Sequence, residues 1–300
     1  MAVLVTGGAG FIGSHVAEAL VARGEDVVVL DDLSSGKREN LPEGVELVEG
    51  DVRERQDELF ARVKPEVCYH LAAQIDVRVS VARPEHDAAV NVLGTVNLLQ
   101  AALEHGTQIV FSSTGGAIYG ECNGPAPEDA PRRPIAPYGT SKLAAEEYLA
   151  TFNRLYGTGH VSLRYGNVYG PRQDPHGEAG VVAIFFNALG AGETPKVFGD
   201  GSQTRDYVYV GDVARATLAA AEREGGVYNI GTGRETSVVE LLDLCQRIAG
   251  TSGEPMFMPA RPGELQRAVV DPSRAVDELG WRPERSLEEG LRETWEFFKG

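Results

Sequence analysis

The chain is 300 residues long, 42% hydrophobic and 24% charged, an ordinary globular composition that excludes a disordered or fibrous protein. Its 28 basic and 44 acidic residues give a net charge of −16, which repels phosphate backbones and anionic membranes and argues against general binding to either. Glycine fills 36 positions, above the usual share of about 7%, and no repeat explains it; tight turns and close backbone approaches to a ligand do.

Residues 2–6 (AVLVT) read as a strand that ends in a glycine turn. Residues 11–23 read as a helix through Ile12, Val16, Ala19 and Leu20, stopped by Gly24. Further strands are expected at 27–30, 45–49, 67–71 and 109–113, with helical patterns between them, the longest near 86–105. Short β-branched runs alternating with helices imply a parallel sheet covered on both faces, and right-handed crossovers make it a doubly wound α/β (Rossmann) sheet. Residues 123–137 hold five prolines, predicting a surface loop before a helix that begins near Tyr138. A sixth strand is expected near 160–165, then a Gly/Pro loop at 170–180, a helix at 181–190, and strands near 196–198 and 206–210. Helices are expected near 212–223, 237–249, 272–279 and 286–298. The division is residues 1–170 as a dinucleotide-binding domain, its sheet completed by later segments, and 171–300 as mainly a smaller mixed α/β substrate lobe over the carboxyl edge of the sheet.

The three cysteines, Cys68, Cys122 and Cys245, form no C-x-x-C, which argues against a disulfide scaffold or a zinc site and fits a reducing cytosol. No basic leader and no stretch of about 20 apolar residues is read, so a cytoplasmic protein without a metal site is expected.

Thr6-Gly7-Gly8-Ala9-Gly10-Phe11-Ile12-Gly13 follows a strand and opens a helix. Glycines there let a pyrophosphate approach backbone amides at a helix N-terminus, where the dipole favours an anion. The second strand ends in Asp31-Asp32, eighteen residues after Gly13. A carboxylate there accepts hydrogen bonds from an adenosine ribose and repels a 2′-phosphate, favouring NAD over NADP; Lys37 and Arg38 are the counter-signal. Tyr138-Gly-Thr-Ser-Lys142 is the single Tyr-x-x-x-Lys among ten tyrosines. On a helix its two ends share a face, so a nearby ammonium and a cationic nicotinamide favour the phenolate a general base needs. Phe111-Ser112-Ser113-Thr114-Gly115-Gly116 stands at the carboxyl end of the fifth strand, where a hydroxyl meets the reacting oxygen of a substrate.

With these motifs the chain resembles the extended short-chain dehydrogenase/reductases, and within them the UDP-glucose (UDP-galactose) 4-epimerases. The resemblance runs through TGGAGFIGSH, Asp31-Asp32-Leu33, Gly50-Asp51, His70-Leu-Ala-Ala73, SSTGGAIYG, Tyr138-x-x-x-Lys142, Arg164-Tyr-Gly-Asn167, Arg205-Asp-Tyr-Val-Tyr-Val and Arg261-Pro-Gly-Glu264. It implies that Asp51 and Val52 bracket the adenine, and that Ala72, Ala73 and Asn91 line the NAD path. Tyr138 would be the base, Lys142 would hold the nicotinamide ribose, and Asn167 would contact the sugar nucleotide. Arg205 and Arg261 would grip the diphosphate and Glu264 the uridine ribose; a diphosphate on an acidic protein needs such guanidinium forks. One departure is that Thr114 lies five residues before Tyr119 where the family spacing is four, which leaves Thr114 first and Ser113 second for the active-site hydroxyl.

Related dehydratases and decarboxylases carry acidic residues just after that threonine; here Gly115-Gly116 stand there, so elimination lacks its proton carrier. The resemblance therefore implies NAD-dependent epimerisation at C4 of a UDP-hexose through a transient 4-keto intermediate. UDP-N-acetylglucosamine or UDP-glucuronate 4-epimerase, a related NAD-dependent reductase and a non-catalytic NAD-sensing protein are the alternatives. Ala268, seven residues after Arg261, matches the family's size-gating position, and Arg78 is a candidate partner for a glucuronate carboxylate. Matching helices in related enzymes form an intersubunit four-helix bundle, which implies a homodimer here through Val90, Leu98, Ala101, Leu143, Tyr148 and Leu149.

Overall fold

A computed structural model describes residues 1–175, 180–261 and 264–299. The first half alternates as read: β1 (Ala2–Thr6), α1 (Phe11–Ala22), β2 (Asp26–Asp31), β3 (Glu46–Glu49), α2 (Asp57–Val63) and β4 (Val67–His70). Next come α3 (Val77–Ala82), α4 (Pro84–Ala88), α5 (Gly94–His105), β5 (Gln108–Thr114), α6 (Gly115–Ile118), α7 (Pro137–Tyr156) and β6 (Val161–Tyr165). The long helix expected near 86–105 is not uniform. A π-helical segment, Ala89–Leu93, joins α4 to α5, and such bulges mark places where a helix re-aims its side chains. Helix α7 starts at Pro137, whose ring suits the first helical position.

The later segments are β7 (Asn167–Tyr169), α8 (Val181–Gly190), β8 (Lys196–Phe198), β9 (Thr204–Arg205), β10 (Tyr207–Tyr209), α9 (Val210–Ala220), β11 (Gly226–Ile230) and β12 (Thr236–Ser237). They end with α10 (Val238–Ala249), β13 (Met256–Met258), β14 (Arg267–Ala268), α11 (Ser273–Leu279) and α12 (Leu287–Lys299). The strand expected at 206–210 is two strands, β9 and β10, parted at Asp206. Asp206 is buried, and its carboxylate accepts from Thr232 N, Thr232 Oγ1 and Gly233 N, so the break is held by a carboxylate that ties three segments together.

Seven parallel strands form the main sheet in the order β11-β6-β5-β4-β1-β2-β3. The order reverses between β1 and β4, the point at which open α/β sheets bind ligands. Val3, Val5, Val27, Val29, Val110, Val161 and Leu163 face one layer, which includes α1 and α9. Leu4, Val28, Leu30, Cys68, Ile109 and Phe111 face the other, beneath α2, α5 and α7. A separate apolar core in the later segments gathers Val182, Phe185, Phe186, Leu241, Leu242 and Leu291 from α8, α10 and α12. The registers Thr6↔His70↔Phe111 and Thr114↔Tyr165 end β1 and β4 together and carry β5 and β6 three residues further, and the candidate site gathers along that edge.

Candidate active site

The glycine turn between β1 and α1 is dictated by contact. Gly7 has φ +68°, and a Cβ there would stand 2.5 Å from the Ala72 nitrogen. A Cβ on Gly13 would lie 2.0 Å from the Gly7 carbonyl oxygen. Gly10 has only the Gly7 oxygen nearby, at 3.3 Å, and as N-cap it places no side chain over the first turn of Phe11, Ile12 and Gly13. The start of α1 therefore keeps bare amides and no acidic residue, a donor set that fits a pyrophosphate. Asp31 is buried, accepting from Ala9 N and Leu33 N at 2.9 Å each, and burial raises its carboxyl above the usual range. Gly36, which the motif reading passed over, packs against that carboxylate: a Cβ there would meet Asp31 Oδ1 at 2.9 Å. Asp32 stays exposed and accepts from Ser34. Asp51 accepts from the Arg53 backbone and guanidinium, an ion pair that holds its carboxyl below the usual range. Val52 turns its side chain into the core against Gly94, so what it offers a nucleotide is backbone.

Ala72 N donates to Thr6 Oγ1 at 3.3 Å, and Ala73 beside it is half-buried. Thr6 leads to a buried chain that sequence reading missed beyond its histidine. Thr6 Oγ1 lies 2.7 Å from His70 Nδ1, His70 Nε2 lies 3.0 Å from Thr95 Oγ1, and the Thr95 hydroxyl donates to the Asn91 carbonyl at 2.7 Å. Since the Thr95 proton goes to Asn91, His70 donates through Nε2 and accepts at Nδ1. Burial first, then the charge of Lys142, brings the His70 pKa down to about 3, which keeps the ring neutral as this chain requires. Asn91 is itself buried; its amide donates to Gln74 O, Asp87 Oδ1 and Ser141 Oγ, so it braces the wall of the site through protein contacts.

At the end of β5 three consecutive residues meet α7. Lys142 Nζ donates to Ser112 O at 2.8 Å and sits 4.7 Å from the Phe111 ring centroid. Ser113 Oγ donates to Glu146 Oε1, whose carboxylate also receives the Arg164 guanidinium at 2.7 Å. Ser113 is thus occupied by structure, which corrects its place as a candidate catalytic hydroxyl. Thr114 is the hydroxyl that acts on the Tyr138 phenol, opposing the rise that burial causes. The sequence expectation is that a neighbouring ammonium and a cationic nicotinamide together favour the phenolate. Among protein groups, burial pushes Tyr138 up to about 12, the Thr114 hydrogen bond opposes it, and Asp87 adds to it. Burial brings Lys142 down to about 8, against the pull of Asp87 and Glu146.

Gly116 stands between the next two groups: a Cβ there would lie 3.3 Å from Asn167 Oδ1 and 3.9 Å from Thr114 Oγ1. Asn167 and the Thr114 hydroxyl thus border the same glycine. Arg205 Nη2 lies 3.5 Å from Glu264 Oε1, and Arg261 stacks over Phe198 at 3.9 Å. Pro262 and Gly263 of that motif lie outside the described residues. Ala268 pairs with Arg205 across β14 and β9 and is 3% exposed.

The residues expected at a subunit interface divide. Leu98, Ala101 and Leu149 are buried in the chain's own core and Val90 is partly buried there, because that stripe covers the sheet, while Leu143 packs against Ile118 and Tyr119. The large apolar side chains left exposed are Leu93 at the end of the π-helical segment, Leu103 on α5, and Tyr148, Leu155 and Tyr156 on α7.

The family model for the NAD dependent epimerase/dehydratase family matches residues 3–231. This chain belongs to that family. A UDP-glucose 4-epimerase of Mycolicibacterium smegmatis is 49% identical over 309 residues, 100% of this chain and 99% of its own. The crystal structure of the Thermotoga maritima UDP-glucose 4-epimerase with UDP-glucose is 48% identical, with TM-score 0.97 over 99% of this chain and 98% of that one. The Thermus thermophilus UDP-glucose 4-epimerase in complex with NAD is 48% identical, with TM-score 0.94 over 100% and 99%. Likeness at this identity along the whole chain extends to the later lobe that the family model leaves unmatched.

Proposed function

We propose that this protein interconverts UDP-glucose and UDP-galactose by epimerisation at C4, with NAD as its cofactor. The observation that carries the reading is the seam at the end of β5: Lys142, one helical turn after Tyr138, is buried with its Nζ donating to Ser112 O, the Thr114 hydroxyl acts on the Tyr138 phenol, and Gly115-Gly116 stand where an eliminating enzyme needs an acid. Bound NAD supplies a reversible hydride acceptor. Phe11, Ile12 and Gly13 offer amides to its pyrophosphate, Asp31 offers acceptors to its adenosine ribose, and Lys142 reaches the nicotinamide ribose. Tyr138 Oη takes the proton of the sugar 4-hydroxyl and returns it, while Thr114 Oγ1 holds the same oxygen. Asn167 steadies the sugar nucleotide, Arg205 and Arg261 neutralise its diphosphate, and Glu264 accepts from its uridine ribose. Small Ala268 beside Arg205 supports tolerance of N-acetylated sugars as a second substrate class. The exposed apolar side chains of α5 and α7 support a homodimer through a four-helix bundle. No helix among the described residues is long and apolar enough to cross a membrane.

The test is a panel of UDP-sugars assayed for the 4-epimer with wild type and Tyr138→Phe. Loss of the proton acceptor lowers kcat on UDP-galactose by about 10²-fold or more with NAD still bound. Wild-type turnover in the variant removes Tyr138 from the reaction.

A further inference from the structure

Asp87 has no place in the chemistry above, yet its surroundings are unusual. It lies on α4 and is 1% exposed. Oδ1 accepts from Gln74 Nε2 at 2.9 Å and Asn91 Nδ2 at 3.1 Å, while Oδ2 has no partner. The same Asn91 amide donates to Ser141 Oγ at 3.0 Å, and Ser141 Oγ donates to the Tyr138 carbonyl at 3.0 Å. A carboxylate is thus strapped through the π-helical turn to the first turn of α7. A buried, half-satisfied carboxylate is costly, and such a group persists where its charge serves neighbours.

We propose that Asp87 is a positioning residue for the Tyr138–Lys142 couple: its buried, half-satisfied carboxylate fixes the first turn of α7 through Asn91 and Ser141 and places a negative charge in the wall beside the couple. The inference rests on the reading of Tyr138 as base and Lys142 as its partner. The other groups facing the couple are Thr114 from β5, neutral His70 from β4, and Glu146 on α7 itself. Glu146 is matched by the Arg164 guanidinium of β6, so its charge is balanced. His86 precedes Asp87 on α4, and no ion pair joins Asp87 to a described residue. Asp87 therefore carries the unbalanced negative charge of this wall. That charge favours the proton on Lys142 and also on Tyr138, consistent with the upward pull it exerts on both.

Both effects have one sign, which gives a readout that loosened packing does not. Asp87→Asn keeps shape and the Oδ1 acceptor while removing the charge, so both limbs of the pH profile of kcat move to lower pH by about one unit. Ser141→Ala cuts the strap without changing charge; kcat falls about tenfold or less with the limbs in place. NAD content and Tm are measured for both variants, and Tyr138→Phe is measured alongside. Superimposable profiles for Asp87→Asn and wild type, with Tyr138→Phe inactive, overturn the role of Asp87 alone. Retained turnover in Tyr138→Phe overturns the base assignment beneath it.

Discussion

Glu146→Ala tests how the site is anchored. Glu146 and Arg164 are both 2% exposed, and the guanidinium meets the carboxylate at 2.7 Å through Nη2 and at 3.0 and 3.1 Å through Nε. Arg164 Nη1 also donates to Tyr119 Oη and to Glu128 O, each at 2.8 Å, which fastens the proline-rich loop to β6. Alanine leaves this cation buried without its counter-charge and Ser113 without its acceptor. Removing one partner of a buried pair costs about 3–5 kcal/mol, and each kcal/mol lowers Tm by roughly 2–4 °C in a chain of this class. The expected fall is on the order of 6–20 °C, followed by circular dichroism at fixed protein and NAD concentration. Adding Arg164→Met removes the stranded charge, so the double variant recovers about half of the loss. A single-variant fall of under about 2 °C, or a double variant worse than the single, refutes the reasoning.

Three further outcomes follow from the same geometry. His15, His70 and His160 have pKa values brought down to about 4, 3 and 4 by burial, so the unfolded chain binds protons below about pH 6.5 that the native protein refuses. Their contribution is complete above that pH and is lost as pH falls, so Tm decreases from pH 7 to pH 5; a flat Tm across that range contradicts the assignment. Light scattering at micromolar concentration should give twice the chain mass, with Leu155→Glu shifting it towards monomer, since Leu155 is 66% exposed on α7; a monomeric wild type ends the bundle reading. Ala268→Tyr should depress turnover of UDP-N-acetylglucosamine far more than of UDP-glucose, because Ala268 is the Cα partner of Arg205; equal losses on both sugars rule the gate out.

The parts legible in the sequence are those fixed by short-range patterns. The central strands announced themselves as apolar, largely β-branched runs because parallel strands are buried on both faces, while edge strand β3 carries a single β-branched residue, Val48. The glycine turn, Tyr138-x-x-x-Lys142 and Arg164-x-x-Asn167 depend on local spacing and were readable for that reason. Strand β11 (GVYNI) was not, since two glycines begin it and it lies at the sheet edge. The π-helical turn left no mark because the apolar period continues through it while the hydrogen bonds slip by one residue. Ser113 and Thr114 could not be separated by spacing; the acceptor that claims Ser113 is on another element, thirty-three residues away. The apolar stripes of α5 and α7 misled for a related reason, since a helix that covers a sheet and a helix that meets a partner carry the same periodicity.

What joins these pieces is the seam between β5 and α7. Ser112 receives Lys142, Ser113 gives to Glu146, and Thr114 acts on the Tyr138 phenol, so consecutive strand residues face helix residues spaced by one turn. Under the proposed function one of these contacts would serve the reacting oxygen and one the cofactor side, while the third belongs to a buried ion pair. The strand cannot shift to relieve strain at one without moving the other two. A change confined to the ion pair therefore reaches the phenol through the helix axis, and the Glu146 variant should lose kcat beyond what its unfolded fraction explains, while a substitution on the exposed face of the same helix should leave kcat alone.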